Sequence, residues 1–239
     1  MIYSRLVVRS VAMGALLPAF APAQPQRVLL ESAAGLRRHN VVAEAATLGG
    51  KKGVRVTTDT AAFRSASAPG QPAPDQFALI NGLEFSNGTI EVELAGAPAQ
   101  GAPEGARGFV GIAFRVQADE KTFDAFYLRP TSGRADDQER RNHATQYISH
   151  PAWTWSRFRQ ETPGRYESYV DLVPNEWTKL KIEVAGTKAR LYVNDQPQPV
   201  LIVNDVKSGP DARGGIALWI DQGTVAHFRN LVVTPASFR

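Results

Sequence analysis

From residue 77 onward, apolar and polar positions alternate with a period of two. Residues 88–95 set Ile90, Val92 and Leu94 against Glu91 and Glu93, the pattern of a strand with one side in a core and the other in water. Residues 108–117 place Val110, Ile112, Phe114 and Val116 on one side, and residues 122–130 place Phe126 and Leu128 opposite Tyr127 and Arg129. In these two strands the second side is itself partly apolar, so it faces something other than plain solvent. Further strands are predicted at 176–185, 188–194 and 200–203, with a closing hairpin of 215–220 and 224–233 around Asp221-Gln222-Gly223. Before residue 77 the pattern is shorter. Strands are expected at 27–31, 40–48 and 54–58, with a Gly49-Gly50 and Lys51-Lys52 turn, and residues 61–75, rich in Ala, Ser, Pro, Gly and Gln, are expected to be a surface loop.

About a dozen strands, no amphipathic helix of three turns and no fixed-period repeat predict an all-β protein of two packed antiparallel sheets. The 239 residues suit one such sandwich. The first 23 residues stand apart: Arg5 and Arg9 precede an apolar run ending near Phe20, and Ala21-Pro22-Ala23 is a small-residue cleavage pattern. A signal peptide cut after Ala23 is expected, leaving a single domain over 24–239 in the periplasm or outside a bacterial cell, with no membrane insertion after cleavage. Its loss leaves 25 basic against 23 acidic residues, a formal +2 in place of +4. That balance offers no general attraction to nucleic acid or anionic lipid. The absence of cysteine removes disulfides, thiolate nucleophiles and Cys-ligated zinc.

The last strands carry a resemblance. A Trp177, Leu180, Ile182 strand, a Leu191 to Asn194 strand and a terminal hairpin through Gly215 to Trp219 and Phe228 to Leu231 resemble the C-terminal half of concanavalin A-like lectin/glucanase jelly rolls. That superfamily includes laminin G-like domains and the neighbouring 3-keto-disaccharide hydrolases. The resemblance covers roughly residues 77–235 and implies a jelly-roll sandwich. It says little about activity, because the matching positions are core and turn residues and the fold hosts lectins, hydrolases and lyases alike. The laminarinase-type pair of carboxylates on alternate positions of one strand has no counterpart here; the nearest, Glu91 and Glu93, is expected to face water.

Candidate chemistry concentrates in residues 123–171, which hold nine of the 21 Phe, Trp and Tyr residues, seven arginines and seven carboxylates. Rings that stack on CH faces, mixed with groups that grip hydroxyls, point to a carbohydrate ligand. The expected lining is Tyr127, Arg129, Arg134, Asp136, Asp137, Arg141, His143, Tyr147, Trp153, Trp155 and Glu167. Tyr127, Arg129, Tyr147 and Ser149 fall on the non-core side by parity, while His150 shares the parity of Ile148. Arg134 and Arg141 would grip ligand oxygens, with Asp136 or Asp137 accepting from hydroxyls; a solvated loop with internal ion pairs explains the same run. Trp153 and Trp155 form a stacking platform if their segment is extended, or plug the end of the sandwich if it is a loop. Trp177 and Trp219 read as core. For a hydrolase, Glu167 and Asp137 are the first acid and base to consider. His143 and His150, seven apart, match no metal-binding spacing, and neither a calcium loop nor a cofactor fingerprint is present, so no metal and no cofactor are expected. The readings in order are glycan recognition, an enzyme on a sugar derivative, and a structural or adhesive module.

Overall fold

The computed structural model describes residues 24–236. The leader expected over residues 1–23, with its cleavage after Ala23, lies outside them. In chain order the elements are β1 (Gln26–Val28), β2 (Leu36–His39), β3 (Val41–Leu48), β4 (Lys51–Thr58), α1 (Thr60–Ala66), β5 (Gln76–Phe85), β6 (Gly88–Pro98), β7 (Val110–Val116), β8 (Phe123–Leu128), α2 (Gln138–Asn142) and β9 (Thr145–His150). They continue with α3 (Trp155–Glu161), β10 (Glu167–Ser168), β11 (Thr178–Ala185), β12 (Lys188–Val193), β13 (Leu201–Val203), β14 (Gly214–Ile220) and β15 (Thr224–Pro235). No helix among the described residues is long and apolar enough to cross a membrane.

Two antiparallel sheets form the jelly roll. One runs β13-β12-β11-β6-β15-β4-β3, with β1 paired to β15; the other runs β10-β9-β8-β7-β14-β5-β2. The register follows the alternation. Ile90 opposes Ile182 and Val92 opposes Leu180 on the inward side, while Glu91 opposes Lys181 and Glu93 opposes Lys179 on the outward side. The space between the sheets is filled by Val54, Ile90, Leu94, Ile112, Phe114, Phe126 and their neighbours. The β3–β4 hairpin turns at Gly49 and Gly50, both with positive φ (55° and 76°), a backbone that suits the twist of a tight hairpin and that side chains resist.

Four expectations need correction. Residues 61–75 are not all loop: Asp59 accepts from the amides of Ala61 and Ala62 and starts α1, which buries Phe63. Val116 leaves the inter-sheet core. Arg115, at φ 55°, is an extra residue in the β7–β14 ladder, and the bulge turns Val116 to the outer face. The buried Arg115 guanidinium bonds Ser86 O, Asn87 Oδ1, Gly186 O, Ser208 Oγ and Gly209 O, pinning the loops at that end; its pKa is lowered, first by burial. Strand β9 has the opposite phase from that expected: Tyr147 pairs with Phe126 and Gln146 with Tyr127. Tyr147 therefore points into the inter-sheet core and Ile148 to the outer face. Finally, of the two tryptophans read as core, Trp219 is buried in the second apolar cluster, whereas Trp177 is only half-buried on an outer face. Trp219 belongs to the apolar layer on the outside of the seven-stranded sheet. Trp177 packs over Gly53 on the outside of the other sheet and donates from Nε1 to Leu48 O at 3.0 Å.

Candidate functional site

The outer face of the seven-stranded sheet is buried almost as thoroughly as its inner one. Every residue of β7 and β8 is buried, and Phe77, Phe123, Tyr127, Ile148 and Trp219 form a second apolar layer there. Gly111 sits in register between Tyr127 and Trp219. A Cβ on it would lie 2.6 Å from the Cβ of Tyr127, so its bare backbone lets the two rings close to 4.7 Å. Beside this layer opens a cavity of about 640 Å³. Its lining comes from the loop before β7 (Arg107, Phe109), from β8 and the residue after it (Tyr127, Arg129), from α2 and its cap (Asp137, Arg140, His143), from α3 (Trp155, Arg159) and from the β14–β15 hairpin (Asp221).

Arg129 and Glu167 organise the floor. Arg129 Nη2 donates to Tyr127 OH at 2.9 Å and to Gln146 Oε1 at 2.9 Å, and Nη1 donates to His143 O at 2.7 Å. Burial, only partly offset by Arg129, pushes the Tyr127 hydroxyl up to about 12, so it stays neutral. Glu167, whose side chain is 2% exposed, lies 3.5 Å from Arg129 Nη1 and receives Arg159 Nε and Nη2 at 3.2 and 2.6 Å. Its hydrogen bond holds Arg159 more firmly protonated. His143 Nδ1 is 2.6 Å from Glu167 Oε2, yet neither ring nitrogen has a well-aligned hydrogen-bond partner within the protein. Both ring nitrogens are buried, and the imidazole is held against a carboxylate at the edge of the cavity.

Asp221 ends β14. Burial raises its carboxyl pKa, Asp75 adds to the rise, and the Gln222 amide, His150 and Arg129 oppose it. His150 Nδ1 meets Asp75 Oδ1 at 2.8 Å. The cavity therefore brings together a carboxylate saturated with cations, an imidazole held against it and a carboxyl whose pKa burial raises.

Of the residues expected from sequence, Tyr127, Arg129, Asp137, His143 and Trp155 line the cavity and Glu167 lies under it. The others do not. Arg134 forms a bidentate pair with Asp171 at 2.7 and 2.9 Å on the surface, and Asp136 is exposed outside the lining. Arg141 stacks on Tyr169 at 4.9 Å. Tyr147 is buried between the sheets, donating to Asp124 at 2.6 Å; burial, then Asp124, raise its pKa well above the usual range. Thr154 caps α3, so the tryptophans part company. Trp153 stacks on Phe158 at 5.3 Å under Arg157 and Lys207, whereas Trp155, 45% exposed, faces the cavity. Asp137 also caps α2, accepting from Arg140 N at 2.6 Å. Gln146, Arg159 and Asp221 were missed. Gln146 was hidden by the wrong phase of β9, and Asp221 by reading its hairpin only as a turn.

Residues 43–234 match the family model of the 3-keto-alpha-glucoside-1,2-lyase-like domain. The chain belongs to that family. The match spans every residue that lines the cavity, from Ala73 to Gln222. No curated protein matches the chain significantly. Among solved structures, the carbohydrate binding module CBM66 from Bacillus subtilis aligns at 16% identity with a TM-score of 0.54, over 82% of this chain and 93% of that one. A protein with a galectin-like fold from the same organism aligns at 13% identity and TM-score 0.54, over 90% and 96%. A native glycosidic hydrolase aligns at 14% identity and TM-score 0.51, over 92% and 100%. These likenesses establish the fold that the lyase-like domain shares with them; its chemistry has to be argued from its own residues.

Proposed function

We propose that the cavity takes up a 3-keto-α-glucoside and cleaves its glycosidic bond by 1,2-elimination. A ketone at C3 acidifies the hydrogen on C2. His143 accepts that proton, the electron pair becomes the C1–C2 double bond, the C1–O bond breaks, and the departing oxygen takes a proton from Asp221. Charge that gathers on the C3 oxygen in the transition state is met by the Arg159 guanidinium at the cavity wall. Trp155 and the edge of Phe109 supply apolar surface for the sugar ring.

The observation that carries this reading is His143, which lines the cavity and is backed by Glu167 at 2.6 Å. Glu167, held by Arg129 and Arg159, serves as a positioning residue for His143. Asp137, committed to the cap of α2, is replaced by Asp221 as proton donor.

Turnover of methyl 3-keto-α-D-glucopyranoside, followed by the ultraviolet absorbance of the enone product, tests the proposal. The wild type is expected to release methanol and the enone, and His143→Ala to lose at least about a hundredfold in kcat. Wild-type activity in the His143→Ala protein would overturn the assignment of the base. Recognition without turnover is the second reading, favoured by the exposed ring of Trp155 in the cavity; binding of the glycoside with no enone formed would select it.

A further inference from the structure

Two guanidinium groups of the cavity remain unspent in that scheme. Arg129 and Arg159 are neutralised by Glu167. Arg107 bonds the carbonyls of Glu104 and Ala106, and Arg140 bonds the carbonyl and hydroxyl of Thr131. Among the described residues neither meets a carboxylate, and Arg140 Nε is buried with no partner. The two also act on each other: the Arg107 pKa is lowered by burial and then by Arg140, with Glu104 offsetting part of the effect. The acids nearby are otherwise occupied. Asp137 caps the backbone of Arg140, Glu139 is 86% exposed on the rim near His143, and Asp221 is the carboxyl whose pKa burial raises.

Bringing like charges together in a partly desolvated cavity costs folding free energy, which Glu104 does not fully offset. An anion from the ligand would. We propose that the sugar carries a negatively charged substituent, a carboxylate or a phosphate, held between Arg107 and Arg140. The guanidinium fork matches either group in two parallel hydrogen bonds, a geometry that a neutral hydroxyl does not use. This inference rests on the sugar site proposed above and narrows its substrate class to acidic glycosides.

Calorimetric titration of the full chain with methyl α-D-glucopyranoside, its 6-phosphate and methyl α-D-glucuronide, at low and high salt, tests it. At least one acidic glycoside is expected to bind about tenfold tighter than the neutral one at low salt, with the advantage shrinking at high salt. The preferred probe names the anion. Arg140→Met should erase the preference and Arg140→Lys keep part of it; the wild-type salt dependence gives the same answer should Arg140→Met fail to fold. Equal affinity for all three sugars overturns this inference and leaves the sugar site standing. Failure of all three to bind overturns both. Inorganic phosphate binding as tightly as the sugar phosphate reduces the pair to an adventitious anion site and also overturns it.

Discussion

The outer faces of the two sheets are built on opposite principles. On the eight-stranded sheet, charges alternate with core residues and meet across strands: Glu91 opposes Lys181, Glu93 opposes Lys179 and Glu183 opposes Arg190. Such pairs sit in water and contribute little each. On the seven-stranded sheet, the outer face is closed by Phe77, Phe123, Tyr127 and Trp219, and the polar groups beside them are buried and joined through Arg129 and Glu167. A charge in the first setting is solvation. In the second, desolvation is costly unless every partner is present, so the polar cluster is a specific arrangement beside the cavity.

That contrast is broken most directly by deleting one carboxylate from each face. Glu167→Ala leaves Arg129 buried without its charge partner and is expected to cost about 3–5 kcal/mol of unfolding free energy. Glu91→Ala, by denaturant titration under the same conditions, is expected within about 0.5 kcal/mol of the wild type. Equal losses would erase the distinction. Next in size is the tryptophan pair. Trp153→Ala removes a ring packed on Phe158 and is expected to cost about 2–3 kcal/mol, while Trp155→Ala stays within about 1 kcal/mol and weakens glycoside binding about tenfold. Tyr127→Phe, which takes an acceptor from Arg129 but keeps the ring against Trp219, is expected to cost about 1–2 kcal/mol.

The smallest effect sharpens the comparison through pH. Asp221 has a folded-state pKa raised by burial, above its unfolded value of about 3.9. Its contribution to stability is therefore complete below about pH 3.9 and is lost as pH rises through the folded value. Asp221→Asn is expected to melt slightly above the wild type at neutral pH, with the gap closing in acid. A variant that melts below the wild type at neutral pH would show that the ionised form is the one the fold holds.

The jelly roll was legible because the eight-stranded sheet alternates cleanly. Ile90, Val92 and Leu94 against Glu91 and Glu93 admit one phase only. The site was harder to read for the same reason that it exists. In β9, where both faces are buried, Tyr147 and Ile148 are equally apolar, so alternation could not say which points inward; the wrong choice sent Tyr147 to the site and hid Gln146. Spacing also failed at residues 151–159, where the Thr154 cap starts a helix and turns Trp153 and Trp155 in different directions. Asp221 carries no local signal. Its environment comes from Asp75, His150 and Arg129, which only the closed fold brings near. Arg129 and Glu167 stand out because their charges lie among aromatic residues in alternating segments, whereas His143 belongs to a polar run that a solvated loop explains equally well.

The face that holds the sugar is decided most directly by a bound complex. The crystal structure of the protein soaked with methyl α-D-glucopyranoside is expected to place the ring between Phe109 and Trp155, above Arg129, with C2 toward His143. A ring bound instead on the eight-stranded sheet, over Lys181 and Tyr192, would contradict it.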